Sequence, residues 1–202
     1  MDFINESTIT IARKLLGKKL LMNQGGNWIG GYIVETEAYL GPEDMACHSY
    51  NWKRTPKVAA MYQPGGTIYV YTMHGHNMLN IVTKDAGIPE AILIRAIQPT
   101  DHESIMLMNR PIAGINLANG PGKLCKAMGI TRELDGVMIN QELLFIDEAT
   151  SVEPQVIGVS PRIGIPNKGE WTDAPLRFYV EGNPYVSRMP KKRMGEANET
   201  WK

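Results

Sequence analysis

The sequence predicts one mixed, mainly antiparallel α+β domain over residues 1–202, and three observations predict it. Strand-like alternating runs outnumber helix-like ones, short helical stretches fall between them, and no regular strand–helix–strand alternation is present. At 202 residues with 43% hydrophobic content, the chain is long enough to bury one sizeable core.

Ser7 or Thr8 can cap a short helix over TITIARKLL, with Ile11, Leu15 and Leu16 inward and Gly17 ending it. KKLLMNQ, the Gly25-Gly26 turn and NWIGGYIVETEAY then form a hairpin. Along its second strand Ile33, Glu35, Glu37 and Tyr39 share one face, provided no bulge interrupts the alternation. GTIYVYTMHGHNMLNIVT predicts a second hairpin with its tip between Met73 and Asn77. AILIRAIQP is a strand with Arg95 in its middle. Thr100 to Glu103 fits a capping box for a helix ending before Pro111. Asn119-Gly120-Pro121 opens another helix, GKLCKAM, closed by Gly129. ELLFIDEA and LRFYVEG are late strands, and the Pro- and Gly-rich segment from Ser151 to Pro190 is expected to be loop-rich.

Composition excludes several classes. No apolar run approaches the roughly 18 to 20 residues of a membrane span, and the opening MDFINESTITIARKLLGKK lacks the order of a signal peptide. A cytosolic location is the expectation. Cys47 and Cys125, the 2 cysteines, make neither a disulfide framework nor a zinc knuckle. Lys plus Arg and Asp plus Glu both total 21, which argues against a binder held on nucleic acid by net charge alone. A local basic face is still sufficient for phosphate contact; SRMPKKRMG concentrates such charge but reads as a solvated tail.

Candidate chemistry centres on VETEAYLGPEDMACHS. His74-Gly75-His76 with His48 offers imidazoles, but no HExxH, CxxC or aspartate-rich loop accompanies them, so exposed turn residues are the reading and no metal is expected. Glu35 and Glu37, two apart on a strand with Cα atoms about 6.5 to 7 Å apart, fit the paired carboxylates of a carbohydrate-active hydrolase. For Glu35 alone, ion pairing is favoured. No GxSxG, Walker loop or GxGxxG supports a nucleophilic serine or a nucleotide cofactor. Arg95, in the apolar strand ILIRAIQ, is expensive to bury unpaired, so a carboxylate on VETEAY is its expected partner; whether that pair is structural or functional stays open. Tyr69 and Tyr71 share a strand face, as core or as a stacking wall.

VETEAYLGPEDMACHS, RTPK, PGGTIYVYTMHG, ILIRAIQP, GPGKLCKAMGI and GEWTDAPLRFYVEGNPYVS, in that order, resemble the alkyladenine (3-methyladenine) DNA glycosylase family, from about Ala12 to Ser187. The resemblance implies helices around a curved antiparallel sheet, with a protruding β-hairpin that enters the DNA minor groove. It implies a monofunctional hydrolase without metal or cofactor, acting on double-stranded DNA that contains damaged purines. Such an enzyme flips the damaged base into a pocket and cuts its N-glycosidic bond. The expected substrates are 3-methyladenine, 7-methylguanine, hypoxanthine and ethenoadenine.

By the same resemblance Glu37 is the general base, Arg95 helps hold the water and the carboxylate, and the Ile163 main-chain carbonyl completes the water site. Tyr39, His48 and Tyr71 line the base pocket, Asn80 crowds the exocyclic amine of guanine, and Lys57 and Lys123 meet the DNA backbone. Two departures stand out. The wedge position, usually tyrosine, falls on His74, and GHNMLN is one residue shorter than the family pattern; Met73 or His76 are its possible assistants. Imidazole stacks over less area than phenol, so weaker or more pH-sensitive retention of the flipped state is expected. The basic run after RTP is also reduced to Lys57, followed by Val58-Ala59-Ala60. The implied setting is a bacterial cytoplasm, on the nucleoid by virtue of the substrate; no membrane or protein partner is expected. The rivals are a sugar hydrolase using Glu35 and Glu37, and a sensor that flips damaged bases without cutting.

Overall fold

A hydroxyl placed just ahead of an apolar stripe starts the first helix. In the computed structural model, which describes residues 1–140 and 142–202, Ser7 caps α1 (Thr8–Lys14) by accepting the Thr10 N–H. Ile11, Leu15 and Leu16 are buried, and Gly17 leaves the helix at φ 82°. β1 (Lys19–Gln24) and β2 (Asn27–Tyr39) form the expected hairpin, with Gln24 opposite Asn27. Gly25 and Gly26 turn it at φ 60° and 85°, the backbone that matches strand twist across a two-residue turn.

β3 (Ile68–Met73) and β4 (His76–Thr83) make the second hairpin, and Met73 faces His76 across the turn His74-Gly75. Both turn residues have positive φ, 50° and 77°; histidine is among the side chains that tolerate this region. β5 (Glu90–Asp101) lies between β4 and β2. β6 (Leu144–Asp147) extends the sheet beyond β1. β7 (Ile157–Ser160) pairs with β8 (Arg177–Val180), which in turn pairs with β2.

The sheet runs β3-β4-β5-β2-β1-β6, with β8 and β7 branching from β2. Every pairing is antiparallel. The sheet curls strongly, and the single α+β domain is of the class the sequence predicts. β2 is its organising strand: one edge takes β1 along Asn27–Tyr32 and β8 along Glu35–Glu37, while β5 takes the other. A β-carbon on Gly31 would sit 2.0 Å from the Gln98 carbonyl oxygen, so only glycine lets β5 approach there.

Two expectations need correction. The capping box does not form. β5 stays paired as far as Asp101, opposite Gly30, which keeps Thr100 extended with its hydroxyl on Asp101. The helix α2 (Glu103–Asn109) is instead entered through His102 at φ 47°, with no side-chain cap. Second, SRMPKKRMG is not simply a solvated tail: Ser187 and Met189 are buried, and Arg193 is ion-paired with Glu181. The segment from Ser151 to Pro190 is loop-rich as expected, and within it β7 is a short strand of 4 residues whose half-exposed or exposed side chains show no apolar alternation. The helix α3 (Pro121–Ala127) starts at its proline and ends before Gly129, φ 66°, as expected. No helix among the described residues is long and apolar enough to cross a membrane.

Candidate active site

The alternation along VETEAY is broken by register shifts on both sides of Glu35. Val34 is the extra residue on β2, and Arg95 is the extra residue on β5. Bulges re-aim side chains, and here Ile33 joins the apolar core while Glu35 and Glu37 both reach Arg95. The single shared face from Ile33 to Tyr39 therefore does not hold.

Arg95 is buried, with its Nε 2.9 Å from Glu35 Oε1 and its Nη1 3.3 Å from Glu37 Oε1. Its expected partner on VETEAY is thus two partners. Glu35 is saturated. Besides Arg95 it accepts Arg177 Nε at 2.6 Å, the Ser187 hydroxyl at 2.8 Å and the Ser187 N–H at 2.8 Å, about as many donors as a carboxylate has lone-pair sites.

Glu37 is placed differently. Its Oε1 accepts the Ile163 N–H at 2.7 Å and its Oε2 accepts the Tyr39 hydroxyl at 3.0 Å. Arg95 stands by the same Oε1 as an ion-pair partner at 3.3 Å, so Oε2 carries a single donor and keeps a lone-pair direction to spare. Burial raises the Glu37 pKa above the ordinary carboxylate value, while Arg95 and the Ile163 amide pull it back down. Ile163, whose carbonyl the resemblance assigns to the water site, meets the carboxylate itself through its amide.

A cavity of about 120 Å³ opens beside this pair, with Tyr39, His48, Tyr71, Asn80, Arg95 and Ile163 in its lining. Glu37 has no exposed surface and stands just behind the wall, bonded to three residues that form it. The His48 and Tyr71 rings meet edge to face at 4.5 Å, and His48 Nδ1 lies 2.8 Å from the Tyr69 hydroxyl. Burial, then the nearby Lys53, lowers the His48 pKa, so the imidazole is neutral at pH 7. Burial and the Glu37 charge push the Tyr71 pKa up to about 12, so this wall stays uncharged. Asn80 donates through Nδ2 to the Tyr69 and Met78 carbonyls at 3.1 and 3.3 Å, which fixes its amide.

Next to the cavity lies a groove of about 640 Å³ that shares Cys47, His48, Tyr69, Tyr71 and Met73 with it. Lys53, Lys57, Arg132 and Lys168 line it and, among the described residues, no carboxylate does, so a chain of zero formal charge carries a locally basic face. Lys57 is therefore in the groove. Lys123 is not in its lining; its ammonium donates to Asn119 Oδ1 at 2.7 Å. His74 is exposed at the β3–β4 tip, Met73 lines both spaces, and His76 packs where a β-carbon on Gly122 would meet its own at 2.8 Å.

Sequence reasoning missed Arg177 and Ser187 around Glu35, the pairing of Asp44 with Arg162, and the groove cations other than Lys57. Lys53, immediately before RTPK, was a usable signal for the groove; Arg132 and Lys168 come from too far along the chain to give one. Among the described residues no group of three or more His, Cys, Asp or Glu side chains is arranged to hold a metal ion.

Comparison with known proteins agrees with this architecture. Residues 2–184 match the family model described as methylpurine-DNA glycosylase. A protein of Staphylococcus carnosus named "Putative 3-methyladenine DNA glycosylase" is 53% identical over 203 residues, covering 100% of this chain and 98% of its own. Proteins of the same name from Staphylococcus saprophyticus and Staphylococcus epidermidis are 51% and 50% identical, each over 100% of this chain and over 100% and 98% of their own. With a family match over most of its length and relatives half identical from end to end, the chain belongs to the methylpurine-DNA glycosylases, DNA-repair enzymes of the hydrolase class.

Proposed function

We propose that the protein flips an alkylated or deaminated purine out of duplex DNA into the 120 Å³ cavity and hydrolyses its N-glycosidic bond, leaving an abasic site. The expected substrate class is 3-methyladenine, 7-methylguanine, hypoxanthine and ethenoadenine. The observation that carries this reading is Glu37: a buried carboxylate held by two hydrogen bonds and the Arg95 ion pair, with a lone-pair direction to spare on Oε2, behind an aromatic cavity. A water in that direction loses a proton to Glu37 as its oxygen bonds to C1′ of the sugar. The C1′–N bond breaks and its electron pair leaves with the base. A cationic alkylpurine departs as a neutral molecule, so no strong general acid is needed.

Arg95 keeps Glu37 ionised and in place. Tyr39, Tyr71 and His48 offer π faces to the base, which favour cationic purines. Asn80, immobilised by two carbonyls, is placed to exclude the exocyclic amine of guanine. No lysine is found among the described residues lining the cavity, consistent with a monofunctional enzyme, since a lyase needs an amine. Saturation of Glu35 speaks against a sugar hydrolase that would use both carboxylates. The damaged-DNA sensor differs only in lacking turnover. The test is release of free base from duplex oligonucleotides that each carry one of the four modified purines. Release from none of them by folded protein would overturn the proposal.

Two further outcomes are expected. His74, exposed at the hairpin tip, is the proposed wedge. His74→Ala should slow excision from duplex DNA roughly tenfold, because the flipped state loses its filler, and leave excision from single-stranded DNA unchanged; equal rates on duplex would remove His74 from this role. Lys57→Ala should weaken binding to damaged and undamaged duplex alike and lower the magnitude of the log–log salt slope by about one. Titrations at several salt concentrations would show it.

A further inference from the structure

Asp44 and Arg162 have no exposed side-chain surface and form a bidentate pair, with Nη2 2.8 Å from Oδ1 and Nη1 on Oδ2. A buried ion pair is seldom the most stable way to join two loops, because desolvation offsets the attraction. What this one supplies is geometry. Asp44 also accepts the Leu40 N–H at 3.1 Å and the Ala46 N–H at 2.9 Å, which sets the turn carrying the chain from Tyr39 to His48. Arg162 donates to the Ala38 carbonyl at 3.0 Å, and its guanidinium carbon lies 4.6 Å from the Tyr39 ring centroid. The next residue along the chain is Ile163, whose amide meets Glu37. Three parts of the cavity wall, at Tyr39, at Ala46–His48 and at Ile163–Ile165, are thus joined through one pair of side chains.

We infer that Arg162 and Asp44 are positioning residues of the glycosylase reaction, holding the Ile163 amide on Glu37 and the Tyr39 ring beside the base. The inference rests on the reading of Glu37 as general base. It concerns neither substrate contact nor proton transfer by Arg162 itself. The charged and titratable groups around Glu37 are Glu35 and Tyr39 on β2, Arg95 on β5, Tyr71 on β3, Arg177 opposite it on β8, and Arg162 after β7. Withdrawing the Ile163 amide removes one of the donors that stabilise the ionised carboxylate, so protonation of Glu37 should set in at higher pH.

The test is single-turnover base release from a hypoxanthine-containing duplex against pH, with Arg162→Lys, Arg162→Gln and Asp44→Asn beside the wild type. Thermal melting and the amide resonance of Ile163 are followed in each. The expected result is a fall in rate of at least about tenfold in the Arg162 variants, with the acidic limb of the profile moved to higher pH. Arg162→Lys should share the shift, because it keeps the charge but not the bidentate fork. In the wild type the Ile163 amide should titrate with the midpoint of that limb. A purely structural pair would lower the melting temperature and the rate while leaving the limb where it is, and that result would overturn the inference. Should the Arg162 variants fail to fold, Asp44→Asn and the wild-type amide titration decide it: an Ile163 resonance that ignores the limb counts against it. Absence of base release by the wild type would instead strike the functional reading itself.

Discussion

Glu37→Gln is expected to lower base release by about 10²- to 10⁴-fold, the span of a positioned general base, while lesion binding is retained. Glutamine preserves the shape that the Ile163 amide and the Tyr39 hydroxyl contact but cannot take a proton from water. Parallel measurements of excision and of affinity for lesion-bearing duplex would establish it; a variant that still turns over near the wild-type rate would remove Glu37 from the chemistry. The same carboxylate predicts the acidic limb of activity. Since burial holds its folded pKa above 4.5, the rate should decline with falling pH at a midpoint above that value.

The stability consequence has the opposite sense from that of a paired surface glutamate. A carboxyl whose folded pKa exceeds its unfolded one binds a proton more readily in the folded state, so its ionisation weakens the fold. That weakening develops as pH rises from the unfolded value to the folded one and is full above both. The Gln variant should therefore melt no lower than the wild type at pH 7. Its advantage should fade as the wild-type carboxyl becomes protonated. A functional group that loosens its own fold is a familiar exchange of stability for activity.

Arg95→Met is expected to have the largest effect on stability. It removes the cation shared by Glu35 and Glu37 and leaves Arg177 to serve Glu35 alone. Breaking a buried pair from one side costs about 3–5 kcal/mol, which for a domain of this size lowers the melting temperature by roughly 10 °C. Glu37 loses the neighbour that most lowers its pKa, so the deficit should be greatest near neutral pH and shrink on acidification as the carboxyls take up protons. Activity should fall with it, and its acidic limb should move to higher pH. Wild-type thermal stability in Arg95→Met across pH 5 to 8 would contradict the whole electrostatic account of the site.

What could be read from the sequence was local. The two hairpins announce themselves through Gly25-Gly26 and His74-Gly75 between alternating strands. α1 is announced by Ser7, and α3 by Pro121 and Gly129. Arg95 could be assigned a carboxylate partner because a guanidinium in an apolar strand leaves little alternative. The bulge at Val34 had no such signature, since Ile33 and Val34 are both buried apolar residues and either register reads the same. Nor did Asp44 and Arg162 or Arg177 and Glu35: these pairs join residues 118 and 142 apart, and nothing near either member names the other. The family resemblance proposed the roles that spacing alone left open, but it did not announce the Ile163 amide contact to Glu37.

β2 leaves part of one edge to β8 and both its carboxylates to donors that arrive much later in the chain: Ile163 for Glu37, Arg177 and Ser187 for Glu35. During synthesis the strand emerges long before these partners. At about 5 to 20 residues per second, the ribosome exposes Glu35 and Glu37 for several seconds with Arg95 as their nearest available cation, and for part of that time without it. The nascent hairpin of β1 and β2 can pair early because its loop is short, but the Glu35–Glu37 end of β2 cannot be buried without leaving charge unpaired until residue 187 is free. The surroundings of the two carboxylates are thus completed only near the end of synthesis.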